Sequence, residues 1–181
     1  SLLGEGNSDF RADIGLRAPV EDRLLSRRQN AAAAIRYDFA WLDALPPAAG
    51  DEAWQCLAEA LYFEARGESV HGQFAVAEVI LNRVDSALYP DTVCGVVHQG
   101  TGKRYQCQFT YTCDGHADRV REKRAWYRAA KIARLMLDGA PRGLTHGATH
   151  YHTKAVNPRW ARKFPKTATI GFHYFYRQPK S

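Results

Sequence analysis

A mainly helical α+β chain with a small β-sheet is what the sequence predicts. Three observations carry that expectation: adjoining apolar segments of helical length at 53–65 and 70–84, a capped helical segment at 118–138, and an alternating tail after Leu144. In the first segment Asp51-Glu52 supply an acidic first turn, Ala53 to Ala65 is mostly apolar, and Gly67 is expected to act as a left-handed stop. The second, Val70 to Val84, sets Phe74, Ala77, Leu81 and Val84 on one face and stacks Glu78 on Asn82 on another. The third is expected to start at Asp118 as N-cap and to end at Asp138, with Gly139 and Pro141 beyond. Between the second and third lies an irregular region holding three cysteines and the Gly100-Thr101-Gly102 turn. In the tail, Ala148 to Thr153 and Thr169 to Arg177, divided by Asn157-Pro158, read as a β pair.

Residues 1–50 differ from the rest of the chain. Arg17, Arg23, Arg27 and Arg28, an Ala31 to Ala34 run and Pro46-Pro47 mark a polar, partly helical arm ending in a linker, leaving 51–178 as one domain. The start, Ser1-Leu2-Leu3-Gly4, has neither a basic n-region nor an apolar h-region, so it reads as a processed or truncated beginning with any signal or anchor upstream. The longest runs free of Lys, Arg, Asp and Glu are eleven residues, too short to span a bilayer as a helix. The composition, 45% hydrophobic and 24% charged, excludes a disordered chain, a collagen-like repeat and a coiled coil.

Charge is distributed unevenly. Residues 1–90 hold 8 Lys/Arg against 14 Asp/Glu, residues 91–181 hold 17 against 5, and no acidic side chain follows Asp138. A basic half of this kind suits an anionic polymer, whether nucleic acid, an acidic glycan or a cell envelope, or is an ordinary solvated surface. The four cysteines allow three connectivities. Cys107 and Cys113 flank a short aromatic stretch and suit a local bridge, which leaves Cys56 with Cys94 as a long-range staple; buried, reduced thiols are the alternative.

Glu64 is the most informative side chain. At about 100° per residue it lies roughly 60° from Leu61 and roughly 20° from Leu57, on an apolar face near a helix C-terminus, while Glu59 points elsewhere. A carboxyl placed there has its charged form desolvated, as a general acid working near neutrality requires. The competing role is a structural bridge to Arg66 or another arginine. Glu68, after a glycine, is expected to be loop-exposed, and Asp114 sits in a turn; each is a helix-end charge or turn-former more readily than a second catalytic carboxylate. His146, His150 and His152 cluster, and on a strand His150 and His152 share a face, but helical H-x-x-x-H spacing and an acidic ligand after Asp138 are both missing, so no metal is expected. Tyr111, Tyr151, Trp160, Tyr174 and Tyr176 alternate with basic residues and offer faces for sugars or bases, or simply pack in the core.

Taken together, Tyr62-Phe63-Glu64-Ala65-Arg66-Gly67-Glu68, Gly72-Gln73 and Val79-Ile80-Leu81-Asn82-Arg83-Val84 resemble the opening of the cell wall hydrolase family typified by spore cortex-lytic enzymes. Tyr89 to Val97, Gln108-Phe109-Thr110, Gly147-Ala148 with Tyr151, Pro158 with Trp160, and Ile170 to Tyr176 are similar to its later elements, in the same order, with Thr110 standing where the family has Ser. The extra cysteines are similar to a Gram-negative branch. The resemblance implies a lysozyme-like, lytic transglycosylase-type fold acting on peptidoglycan without a cofactor. It further implies Glu64 as single acid/base, a 1,6-anhydromuramic acid product, and substrate-binding roles for the matching Arg66, Glu68, Asn82, Gln108, Phe109, Thr110, Tyr151, Trp160 and His173. On that reading the chain is an exported, periplasmic or envelope monomer that binds glycan strands and no nucleic acid, with the arm as a tether to a membrane or partner. A hydrolase using a second carboxylate, and a non-catalytic module binding peptidoglycan or nucleic acid, are the alternatives.

Overall fold

The computed structural model describes residues 35–99, 109–112 and 119–180, together with Glu21, Leu24 and Leu25. Helix α1 (Phe39–Ala44) starts where Asp38 accepts the Trp41 N–H at 2.7 Å, and α2 (Glu52–Ala65) where Asp51 accepts the Trp54 N–H at 3.1 Å. Helix α3 (Val70–Val84) has the expected bounds, with Ser69 accepting the Gly72 N–H. The expected left-handed stop at Gly67 is not used. Arg66 keeps right-handed helical angles and the Glu68 N–H bonds the Ala65 carbonyl at 2.9 Å, so the chain passes from α2 to the cap of α3 in one tight turn without positive φ.

A short helix, α4 (Val93–Val97), is capped by Thr92 and tied to α2 by a disulfide between Cys56 and Cys94, as expected for the long-range pair. Cys107 and Cys113 lie outside the described residues, as do Gln108, Asp114 and Asp118. Helix α5 (Lys123–Leu137) begins later than the sequence suggests. Its start is set from elsewhere: the Tyr62 hydroxyl, on α2, accepts the N–H groups of Arg121 and Glu122 at 3.0 and 3.1 Å, in place of a local side-chain cap. The far end agrees with expectation, with Gly139 at φ 98°, its N–H on Met136 O, and the Ala140 N–H reaching back to Leu135 O.

Helices α2, α3 and α5 enclose the core. Leu57, Leu61, Phe74, Ile80 and Ile132 are all at most 1% exposed, and the Trp54 indole N–H donates to Ala130 O to lock α2 on α5. From the stretch assigned to the arm, Leu42 of α1 is fully buried in this same core, Lys131 caps the Leu42 and Asp43 carbonyls, and Arg128 grips Asp43 with two bonds of 2.7 Å.

The expected β pair is a three-stranded antiparallel sheet. Strands β1 (His150–Thr153), β2 (Lys166–Ile170) and β3 (His173–Tyr176) lie in the order β1-β3-β2. The second alternating segment supplies two strands because Gly171, at φ 56°, reverses the chain between them. Two short 3-10 turns, Thr110–Thr112 and Arg159–Arg162, complete the elements among the described residues. No helix among them is long and apolar enough to cross a membrane.

The Cys56–Cys94 bridge spans a sequence separation of 38 residues. Reduction, or Cys56→Ser with Cys94→Ser, is expected to lower unfolding free energy by about 2–4 kcal/mol, read by denaturant titration. Coincident curves with and without reductant would show that the bridge is not formed in solution.

Candidate active site

The site is assembled from the α2–α3 corner and the sheet. Glu64 stands one residue from the end of α2, where its carboxyl is largely buried and meets the Tyr151 hydroxyl from β1. Burial pushes the Glu64 carboxyl above the ordinary carboxylate range, and the hydrogen bond from Tyr151 works in the opposite direction, with burial the larger effect. Tyr151 is itself driven well above the usual phenol value, first by burial and then by the neighbouring Glu64, so it remains a hydroxyl donor at any physiological pH. The geometric reading of Glu64 as an inward carboxyl therefore agrees with the fold, and the bridge to Arg66 is not formed. Arg66 points outward, pairs with Glu122 at 3.2 Å and lies over the Tyr62 ring.

The segment that carries Tyr151 is held by the polar edge of α3. Glu78, fully buried, accepts hydrogen bonds from Leu144 N–H, Thr145 N–H and Thr145 Oγ1 at 3.1, 2.8 and 2.7 Å. One turn on, the Asn82 amide donates to Ala148 O at 2.9 Å and Arg83 Nε to Thr149 O at 2.6 Å. The i,i+4 stacking of Glu78 and Asn82 is visible in the sequence; that both grip the same distant loop is not. Arg83 and Glu78 are buried charges whose partners are mostly backbone atoms, and backbone partners leave no mark in a sequence.

Glu68 is not loop-exposed. Its side chain is 17% exposed, with Oε1 3.1 Å from His173 Nδ1, and the His173 side chain is 5% exposed. The correction has a steric cause: a Cβ at Gly72 or at Gly171 would stand 3.2 Å from Glu68 Oε2, so the two glycines together open a slot for the carboxylate. Burial pulls His173 below the ordinary imidazole value while Glu68 pulls it up. Next to Glu64, Phe63 stacks on Tyr111 with ring centroids 4.8 Å apart.

Other expected contacts are placed differently. Phe109 is 3% exposed and belongs to the core, so it presents no face to a ligand. Asn82 is engaged with Ala148 O, and Arg142 reaches its Oδ1 at 3.4 Å. Trp160 packs on His150, His152 and Tyr176, the sheet face opposite Tyr151, Phe175 and His173. His150 and His152 do share that outer face, and burial takes His150 down to about 4. Among the described residues no group of three His, Cys, Asp or Glu side chains is arranged to hold a metal. Thr110 opens its 3-10 turn. A cavity of about 460 Å³, lined by Asn82, Asp85, Thr149, Arg177 and Gln178 among others, lies at the other end of β1 and includes none of Glu64, Tyr151, Glu68 or His173.

Because the folded pKa of Glu64 is above its unfolded value, its contribution to stability is complete below the unfolded pKa and is lost as pH rises through the folded one. Glu64→Gln is thus expected to melt at a higher temperature than the wild type at neutral and alkaline pH, with the gap closing in acid. Thermal denaturation across pH measures this, and parallel curves at every pH would remove the desolvation argument.

Comparison with known proteins places this arrangement. The profile of the cell wall hydrolase family matches residues 67–176, beginning just after Glu64. Spore cortex-lytic enzymes of Oceanobacillus iheyensis and Halalkalibacterium halodurans are each 35% identical, over 67% and 72% of this chain. The chain covers only 40% and 36% of those relatives. Among solved structures, the catalytic domain of the germination-specific lytic transglycosylase SleB from Bacillus anthracis superposes with a TM-score of 0.54 at 32% identity, covering 74% of this chain and all of that one. The Bacillus cereus SleB catalytic domain gives 0.53 at 31%, covering 74% of this chain and 95% of that one. The fold is thus the lysozyme-like, mainly helical one expected, and with α3, α5 and the sheet inside the family match, the chain belongs to the cell wall hydrolase family.

Proposed function

We propose that this chain is an enzyme that cleaves peptidoglycan glycan strands between N-acetylmuramic acid and N-acetylglucosamine, with Glu64 as the single general acid/base. The observation that carries the reading is the Glu64–Tyr151 pair: a largely buried carboxyl, biased towards its protonated form, with the neutral Tyr151 hydroxyl donating to it. Such a carboxyl can give its proton to the glycosidic oxygen as the bond breaks through an oxocarbenium-like state. As negative charge develops on Glu64, the hydrogen bond from Tyr151 becomes charge-assisted and strengthens, so the donor favours the transfer more than the starting state. The carboxylate then takes the proton of the muramic acid C6 hydroxyl, whose oxygen closes on C1 to give the 1,6-anhydro product. Ring closure within one sugar has a high effective molarity and needs no positioned water.

Support for a single carboxylate comes from Glu68, which is turned onto His173. The run of basic residues without acidic ones after Asp138 suits a polymer bearing carboxylates. Cys56–Cys94 suits an oxidising compartment, in keeping with an exported protein of the periplasm or envelope. Of the substrate contacts inferred from the motifs, Arg66 at the rim and Gln108 and Thr110 beside Phe109 remain proposed; nucleic acid has no role in this reading, the protein works as a monomer, and residues ahead of α1 serve as a tether.

Purified peptidoglycan digested by the wild type and by Glu64→Gln, with mass analysis of the fragments, tests the proposal. The wild type is expected to release fragments with anhydro ends, and the variant to be slower by about 10²–10⁴-fold. Ends heavier by one water would instead identify a hydrolase, and wild-type fragments released equally by the variant would remove Glu64 from the role. Because the acid must be protonated, wild-type activity is expected to fall as pH rises through the elevated Glu64 pKa; a rate that keeps rising there contradicts the assignment.

A further inference from the structure

The Glu68–His173 pair lies outside the chemistry derived above, yet the structure invests heavily in it. Glu68 sits in the turn between α2 and α3, four residues beyond Glu64, and its own carbonyl is held by Gln73 Nε2 at 3.1 Å. Its carboxylate enters a slot between Gly72 and Gly171, one on α3 and one in the β2–β3 turn, that any larger residue would narrow. There it meets His173 Nδ1 at 3.1 Å. Nδ1 is buried without an aligned hydrogen bond, so the carboxylate acts on the ring through charge at ion-pair distance and through close packing. The ring edge in turn abuts Tyr151, with centroids 5.2 Å apart and planes at 73°. The other polar neighbours of Tyr151 among the described residues are Glu64 itself, Arg83 from α3, and Tyr111 from the 3-10 turn. His173 faces Glu68 from the turn and, from β1, Tyr151 and His152.

We propose that Glu68 and His173 are positioning residues: together they latch the sheet to the α2–α3 corner and hold the Tyr151 side chain, with its hydroxyl, against the Glu64 carboxyl, keeping water from it. The proposal rests on the reading of Glu64 as the acid. It gives Glu68 a task different from a second catalytic carboxylate and from a sugar contact, because the carboxylate acts through His173 and Tyr151 and touches no reacting atom. Release of the latch lets Tyr151 move and water reach Glu64, which lowers the Glu64 pKa because burial is the larger of the two influences on it. Removing only the Tyr151 hydroxyl has the opposite effect: the ring still excludes water while the stabilising bond from Tyr151 to the carboxylate is lost.

The test is the pH dependence of cleavage of soluble peptidoglycan fragments by the wild type, Glu68→Gln, His173→Gln and Tyr151→Phe, with Glu64→Gln as reference and melting curves for each. Glu68→Gln and His173→Gln are expected to lower kcat about tenfold at unchanged KM, and to move the alkaline limb down by about one pH unit. Tyr151→Phe is expected to move it up. His173→Gln is decisive because it keeps the Glu68 charge, so a downward shift there does not come from losing a neighbouring negative charge, and it also carries the test if Glu68→Gln does not fold. A limb that shifts in Glu68→Gln alone, or stays fixed in both while the rate falls, overturns the positioning role and leaves a charge effect or a loss of stability. Wild-type rates in Glu64→Gln would overturn the underlying reading instead, a failure visible without the other variants.

Discussion

The polar edge of α3 is the constraint on which the rest of the site depends. Within two turns of one helix, Glu78, Asn82 and Arg83 hold five backbone or hydroxyl groups of residues 144–149, and β1 begins immediately after. An apolar contact in the same place would fix the distance between helix and strand but leave the strand free to slide. Hydrogen bonds to named carbonyl and amide groups fix its register as well, and a shift of one residue would turn Tyr151 to the outer face. The arrangement is also unforgiving: an uncompensated buried charge costs about 3–5 kcal/mol, so losing the 144–145 segment from Glu78 is far from neutral. That penalty is a reason for the loop to stay docked.

Against this fixed frame, Glu64 is set between two opposed influences. Burial disfavours its charge and one phenol stabilises it. A carboxyl with burial alone would hold its proton too tightly to give it up, and one with several donors would lose it to water before any substrate arrived. Among the described residues the Tyr151 hydroxyl is the donor set against Glu64, and that arrangement lies between those cases. Beside Glu64 in the sequence, Phe63 stacks on Tyr111 and meets Tyr62 edge-on, an aromatic cluster that adds no charge.

Local signals in the sequence are legible where the deciding atoms are close in the chain. Asp51 and Gly139 mark helix ends because their effects act over three or four residues, and Glu64 stands out because its orientation comes from helix angle alone. The Cys56–Cys94 pairing is one of the few alternatives open to four cysteines. Whatever depends on distant chain is hidden. The start of α5 is set by a tyrosine hydroxyl sixty positions earlier, the burial of Glu68 by a glycine in a hairpin turn, and the partner of Glu64 by the register of β1. The hairpin itself is obscured because one left-handed glycine inside an alternating segment divides it without breaking its pattern of apolar residues. Trp160 shows the converse limit: an aromatic residue in a matching motif says nothing about which side of a sheet it will cover.

The separation of Glu64 from Tyr151 along the chain has a temporal side. A ribosome delivers α2 and α3 early, with the carboxyl already on its helix, and β1, which brings Tyr151, emerges only after α5. Until then Glu64 lacks the Tyr151 hydroxyl. The Glu64–Tyr151 pairing therefore requires β1, and a chain lacking that strand carries the glutamate without its partner.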